Sequence, residues 1–401
     1  MKYRRFLKLI GCVLAALVSV AAVSVDTLKK DVVWLSDPAR DGRKSRTPGA
    51  AAASSYIAGR FKEIGFDVQI QEIGGDRRNV VAKTGAAEEY ILIGSHYDGQ
   101  GRGFPSASDN AAGAAALLEI GRELKAEKLP VSVVLIAFDD EEQGLNGSHY
   151  YADHPLYPLD SALSAIIFDT MGRSFIDLPS WTMFVLGTEY STELAQIVGR
   201  RVNPEMLVAG TDLIGPRSDF ASFAVKHVPY LFFSHGTHKD YHGSGDTAEK
   251  INYPRLAEDI GLIAEIVKDI ARSAKKPTYL ETPVYPPSEK ATLVRHLSLL
   301  EKERIDLPTA YRLMLEDMRV RIETDESRDS VRMATAGLLA IATPRVSPFM
   351  LTLILGPFYE RENKPLIAAA IYEEALKWVD TSERRDLEEK IQALLKTSGV
   401  R

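Results

Sequence analysis

The sequence predicts an α/β protein: a mostly parallel, mixed sheet covered by helices on both faces, with a C-terminal all-helical extension. Three observations predict it. Tyr90-Ile91-Leu92-Ile93-Gly94 and Val131-Ser132-Val133-Val134-Leu135-Ile136-Ala137-Phe138 are continuous apolar runs, the pattern of strands buried on both faces. Such runs alternate with helical stretches, as they do where crossover helices cover a parallel sheet. After Lys275 the strand pattern stops, and amphipathic helical stretches take over.

In chain order, Lys2, Arg4, Arg5 and Lys8 precede an uncharged run over residues 9–25 that Asp26 ends. A basic start, an apolar middle and small residues at Ala21, Ala22 and Ser24 make residues 1–25 a signal peptide. The protein is therefore expected to be exported, periplasmic or secreted, with no stable membrane insertion after cleavage. The run is also nearly long enough for an uncleaved anchor. Leu9-Ile10-Gly11-Cys12 resembles a lipoprotein cleavage box, although the apolar stretch before Cys12 is short and Lys8 interrupts it. Cys12 is the only cysteine, so removal of the leader leaves a chain without disulfides or thiolate chemistry.

Residues 26–66 read as helical, with Gly65 as C-cap into a strand at Asp67-Val68-Gln69-Ile70-Gln71. Further strands are expected at Asn79-Val80-Val81-Ala82, in the two runs above, and at Ala165-Ile166-Ile167-Phe168. Thr182-Met183-Phe184-Val185-Leu186 and Pro229-Tyr230-Leu231-Phe232-Phe233 complete the set. Helices are expected over residues 111–125, 191–201 and 255–274. The reading gives a catalytic domain over residues 26–275, a proline-punctuated linker over 276–288 and a helical C-terminal domain over 289–401. In the last of these, helices are expected at 293–303, 309–322, 330–341 and 365–395, with no second copy at a fixed period that would make a repeat array.

The 401 residues are 45% hydrophobic and 26% charged, ordinary values for a globular protein. A net charge of −6 without a basic stripe argues against nucleic acid as a partner.

The chemistry gathers where apolar strands give way to turns, which is where open α/β sheets bind their ligands. His96 and Asp98 lie two apart at a strand end and share a face. A carboxylate beside a ligand imidazole fixes its tautomer, though His-x-Asp alone is also common in polar loops. Asp109 precedes a helix and could simply be its N-cap, but Ala107, Ala111, Ala112 and Gly113 around it leave room for a close approach to the backbone. Asp139, Asp140, Glu141 and Glu142 put four acids in a row after a buried strand. Such a row is either a solvated turn or a site that cations compensate. Asp169 repeats the pattern on another strand. His242, with a flexible Gly243-Ser244-Gly245-Asp246-Thr247 turn after it, offers a second imidazole. His235 and His238 carry no assigned role, and His149 and His154 read as surface or core histidines. Two histidines and several acids converging in this way suit a divalent-metal site rich enough for two ions.

The order of these pieces carries a resemblance. Gly94-Ser95-His96-Tyr97-Asp98, Ser108-Asp109-Asn110-Ala111-Ala112-Gly113, Glu141-Glu142-Gln143-Gly144-Leu145-Asn146-Gly147-Ser148, Phe168-Asp169, Ser218-Asp219, and Tyr241-His242 with Asp246-Thr247 resemble the secreted di-zinc aminopeptidases. These belong to the co-catalytic zinc exopeptidase family that also contains plasma glutamate carboxypeptidase. Asp41-Gly42-Arg43 and Thr47-Pro48-Gly49 are similar to its N-terminal helix region, so the resemblance spans roughly residues 30–270.

The resemblance implies two zinc ions, with Asp109 bridging them, His96 and Asp169 completing one site and Glu142 and His242 the other. Asp98 would orient His96, and Tyr241 would help polarise the scissile carbonyl. Glu141 would be the general base, acting on a hydroxide-forming water between the ions. The implied substrates are peptides with a free N-terminus. Two other activities stand beside this: a glutaminyl-cyclase-like acyltransferase with one zinc, and a dipeptidase or carboxypeptidase of the same family. A scaffold protein that had lost its ligands is disfavoured, because the full set is present. The chain departs from the common Ser-Asp-His of the family at Ser218-Asp219-Phe220, which puts one substrate-side contact in doubt.

Overall fold

The chain forms eight strands of four to eight residues: β1 (Asp67–Gly74), β2 (Arg77–Thr84), β3 (Tyr90–His96), β4 (Ser132–Phe138), β5 (Ala162–Phe168), β6 (Met183–Leu186), β7 (Met206–Ala209) and β8 (Tyr230–Ser234). In the computed structural model they form one sheet in the order β1-β2-β4-β3-β5-β8-β6-β7. The structure describes residues 23–211, 215–303, 307–325, 327–342 and 350–398. Residues 1–22 of the expected signal peptide, Cys12 among them, lie outside the described residues. Among those described, no helix is long and apolar enough to cross a membrane.

The central strands β4, β3, β5 and β8 are parallel, as are β6 and β7. The pairs β1–β2, β2–β4 and β6–β8 are antiparallel, so the sheet is mixed. Every residue of β3 and β4 is buried, which is why their sequences carry no polar alternation.

Alternate residues feed two apolar cores. Ile91, Ile93, Val133 and Leu135 face one side, where α1 (Val25–Ser36), α2 (Pro48–Ile64), α3 (Ala112–Ala126), α5 (Thr192–Arg201) and α7 (Tyr253–Ala271) pack. Tyr90, Leu92, Val134, Ile136 and Phe138 face the other, under α4 (Asn146–Asp153) and α6 (Phe220–Ala224). The same core continues into the C-terminal helices α8 (Pro287–Glu303), α9 (Thr309–Thr324), α10 (Arg328–Ala342), α11 (Gly356–Arg361), α12 (Pro365–Ala375) and α13 (Thr381–Thr397). Leu293 and Leu297 of α8 are buried against the sheet. Thr292 Oγ1 and Glu289 Oε1 accept the backbone N–H groups of Val208 (3.0 Å) and Gly210 (2.8 Å), which ties α8 to the β7 edge. The helical extension thus covers part of the second face of the sheet.

Besides the short helices α4, α6 and α11, which were not expected, three elements differ from the sequence reading. The helix expected over residues 26–66 is two helices, α1 and α2, parted by a turn in which Asp41, Gly42 and Arg43 have φ of 49°, 68° and 51°. Pro38 and Gly42 break the helix there, and α2 restarts on Thr47, whose hydroxyl accepts the Ala50 N–H. Gly65 ends α2 in the left-handed conformation at φ 96°, as expected. The four-residue strand β7 was not expected, since so short an apolar run has no period to read. The stretch 365–395 is broken between α12 and α13 around Asp380.

Candidate metal centre

β3 and its neighbours β4 and β5 end together, and their ends supply most of the site. His96 is the last residue of β3 and is fully buried. The Tyr97 N–H still donates to Phe138 O (2.9 Å), so pairing with β4 continues past His96 and holds its backbone. Asp98 then faces His96, Oδ1 lying 3.4 Å from Nδ1. The same carboxylate accepts the N–H groups of Glu141 (3.1 Å) and Glu142 (3.3 Å), fastening the turn after β4 to the end of β3.

The run of four acids splits in two. Asp139 Oδ2 accepts the Arg78 N–H (3.0 Å), and Asp140 pairs with Arg77 (2.8 Å). Burial and the nearby Asp98 push the Asp139 carboxyl up to about 6. Asp140 has φ 62°, and after it Glu141 faces His96 and Glu142 faces His242. Asp169 follows β5, and its N–H donates to Phe233 O of β8 (3.1 Å).

Asp109 does not cap α3. That helix starts at Ala112 without a side-chain cap, and Asn110 Oδ1 accepts the Gly113 N–H (3.0 Å). A Cβ at Gly113 would overlap Asn110 and Ser95, so the small residue permits the close approach the sequence suggested. The Asp109 backbone is held instead by Asp246, whose carboxylate accepts the N–H groups of Ser108 and Asp109. His242 comes from the long loop after β8, at φ 51°, with the Tyr241 ring stacked on its imidazole at 3.9 Å.

Two donor sets result: His96, Glu141 and Asp169 in one, and Asp109, Glu142 and His242 in the other. Asp109 Oδ1 lies 3.4 Å from His96 Nε2, and Oδ2 lies 2.9 Å from His242 Nε2. One carboxylate therefore turns an oxygen toward each set. His96 Nε2 is 3.2 Å from Asp169 Oδ1 and 3.9 Å from Glu141 Oε2, and His242 Nε2 is 3.5 Å from Glu142 Oε2. Asp98 and Tyr241 flank the sets without belonging to either.

The electrostatics are those of a cluster short of positive charge. Burial pushes the Glu141 and Glu142 carboxyls well above the usual range, and neighbouring carboxylates add to it. Burial alone would lower His96, but the Glu141 and Asp169 carboxylates outweigh it and hold the imidazole well above its ordinary value. Asp109 is held below the usual carboxylate range: burial opposes this, and the two histidines overcome it. Glu142 Oε1 is buried without a hydrogen-bond donor. Hard oxygen and imidazole donors in this arrangement fit divalent zinc.

Sequence reasoning passed over several supports. Ser218 Oγ donates to Asp169 Oδ2 (2.8 Å), and Gln100 donates to Glu142. Ser108 Oγ bonds His238 Nε2 (2.7 Å), so His238 braces the segment that carries Asp109. Arg43, wholly buried, donates to the carbonyls of Leu35, Tyr97, Pro105 and Ser106 at 2.7–2.9 Å and pins the loops on either side of the site. Its position in the Asp41-Gly42-Arg43 turn was the one signal available. His235 is structural, bound to Asp259 Oδ2 (2.9 Å) and to the Gly172 N–H (2.7 Å), while His149 and His154 are exposed.

A cleft of about 330 Å³ opens beside the donor sets. Phe184, Leu186, Phe232 and Leu339 make it apolar, and Asp169, Arg217, Tyr241 and His242 stand along it. Leu339 belongs to α10, so the C-terminal helices reach the site.

Residues 79–267 match the family model described as Peptidase family M28. The chain is 26% identical over 279 residues to the uncharacterized protein YfbL of Escherichia coli (strain K12), covering 59% of this chain and 85% of that one. It is 25% identical over 228 residues to leucine aminopeptidase 2 of Trichophyton equinum, covering 49% of this chain and 45% of that one. The chain thus spans less than half of the fungal relative. Among solved structures, an aminopeptidase from Aneurinibacillus sp. strain AM-1 superposes with a TM-score of 0.55 at 16% identity, over 67% of this chain and 98% of that one. At that identity the likeness is one of fold.

Proposed function

We propose that this chain, whose residues 79–267 match the model of Peptidase family M28 and resemble leucine aminopeptidases, is a metallopeptidase of that family, an aminopeptidase working with two zinc ions on peptides that have a free N-terminus. The observation that carries the reading is Asp109, whose two oxygens face two separate donor sets at 3.4 and 2.9 Å. His96 and Asp169 would hold one zinc ion, Glu142 and His242 the other, and Asp109 both. Bound there, the pair of ions supplies a water of lowered pKa and polarises the scissile carbonyl.

The chain's own residues do the rest. Glu141, whose carboxyl is biased toward its protonated form, accepts a proton from the attacking water and returns it to the leaving amine. Asp98, with Oδ1 3.4 Å from His96 Nδ1, would orient the ring and leave Nε2 for a ligand bond. Burial and the surrounding carboxylates keep the Tyr241 hydroxyl protonated, and it donates to the carbonyl oxygen as negative charge develops. The apolar cleft takes the side chain of the residue to be removed.

The test is hydrolysis of a panel of aminoacyl chromogenic amides together with zinc analysis. The expected result is about two zinc ions per chain, activity lost to a chelator, and a fall of roughly 10³-fold or more in kcat for Glu141→Gln with zinc retained. Glu141 also lies within ligand distance of His96 and Asp169. If Glu141→Gln loses an ion instead, Glu141 is a ligand and not the base. One zinc per chain with cyclisation of N-terminal glutamine, or near-normal turnover in Glu141→Gln, overturns the proposal.

A further inference from the structure

Arg217 stands along the cleft, whose apolar wall is Phe184, Leu186, Phe232 and Leu339 and whose other side carries Asp169 and His242. It is half-buried, and its backbone N–H is tied to Gly215 O (2.9 Å), which fixes the root of the side chain. Other arginines near the site have carboxylates: the half-buried Arg77 has Asp140, and the buried Arg173 has Asp177 and Asp240. Arg217 makes no side-chain hydrogen bond or ion pair among the described residues. Burial draws its pKa down, and Tyr241 is the one titratable group that opposes the shift. A guanidinium held in an apolar wall without a counter-charge is costly, unless a ligand brings the charge with it.

We infer that Arg217 is a carboxylate-binding residue of the cleft, so that the enzyme selects substrates bearing a carboxylate close to the bond it cuts. The inference rests on the aminopeptidase reading for the placement of substrate and on the cleft alone for the ligand chemistry. The planar fork of a guanidinium matches two carboxylate oxygens, and the low-polarity wall of the cleft strengthens that pair. Asp169 and His242 border the same cleft, which keeps the bound carboxylate near the reacting bond. Two sources offer this group: an acidic first side chain, or the free C-terminus of a dipeptide. Phe184, Leu186, Phe232 and Leu339 would pack on the methylenes of either.

The test is calorimetric binding to zinc-loaded full-length enzyme carrying Glu141→Gln, with and without Arg217→Met. Glutamic acid α-amide is compared with glutamine α-amide for the side-chain source. Leucyl-leucine is compared with leucyl-leucine amide for the C-terminal source. The expected result is a preference of about tenfold for the carboxylate in one pair, which collapses in Arg217→Met and is partly kept in Arg217→Lys. The pair that responds identifies the source. No preference in either pair, or one that survives in Arg217→Met, overturns the inference. Hydrolysis of the same four compounds by enzyme with Glu141 intact is read separately. Its absence would count against the peptidase proposal while leaving the binding result to judge Arg217.

Discussion

The two donor sets differ in how they are built. His96 and Asp169 sit at the ends of β3 and β5, neighbours in the middle of the sheet, and the His96 side chain is only 1% exposed. His242 hangs on a loop, at a left-handed φ of 51°, with 37% of its side chain exposed. Asp109 joins the two, held through its backbone by Asp246. A donor on a paired strand end is positioned before any ligand arrives, whereas a donor on a loop must be ordered by the ligand or by its neighbours. On the proposed two-zinc reading, the first set would be preformed, and the second would be the side by which an ion and a substrate enter.

The severest break is to remove the joint. Asp109→Asn takes charge from both sets at once, so zinc is expected to fall below one per chain and kcat/KM by more than about 10³-fold. Zinc quantification beside kinetics checks it; an Asn variant that keeps two ions would mean that Asp109 bridges nothing. Next come the single histidines. His96→Ala and His242→Ala should each leave about one ion, but in the native protein the ion on the His242 side should leave first. Timed chelation should show two phases, the faster by about tenfold or more, and His242→Ala should abolish the fast one. A single phase would erase the distinction between the two sets.

Smaller effects fall on the braces. Asp246→Asn weakens the hold on the Ser108 and Asp109 N–H groups, and a loss of roughly 10–100-fold in zinc affinity is expected. Protonation sharpens the comparison. His96, Glu141 and Glu142 all hold protons to a higher pH than they would in water. Zinc must displace those protons, so affinity rises with pH and falls as pH drops through the raised values. Calorimetry in two buffers of unlike ionisation heat should show proton release, larger for the ion on the His96 side; equal heats in both buffers would refute it.

The same contrast explains what the sequence made legible. His96, Asp169, Glu141 and Glu142 each follow an apolar run, and such a run announces both the strand and the place where it ends. His242 and Asp109 lie on loops and were visible through motif order, not through any period. Asp109 even read as a helix cap, yet that helix starts without a side-chain cap, and it is Asn110 that accepts the Gly113 N–H. Arg43 and His238 could not be found this way. Their partners lie up to 63 and 130 residues distant, and a lone basic residue in a turn carries no local sign of what it will hold. The division of residues 26–66 into two helices was hidden for a related reason: the turn exists to deliver Arg43 to loops far along the chain.

The mildest perturbation reaches the entrance from outside the peptidase core. Leu339 is on α10, in the stretch beyond the family match, yet it borders the cleft with Phe184 and Phe232. Its backbone belongs to a helical layer that shares one apolar core with β6 and β7, so truncating the side chain should leave the layer in place. Leu339→Ala therefore removes methyl groups from one wall of the substrate pocket and touches neither donor set. Small first residues should lose contact and large ones gain room, changing the ratio of kcat/KM for phenylalanyl over alanyl amides by roughly 3–10-fold, while zinc content stays the same. A ratio that does not move would show that the C-terminal helices support the sheet without shaping what enters it. A fall in zinc content would mean that the preformed half of the centre also depends on them.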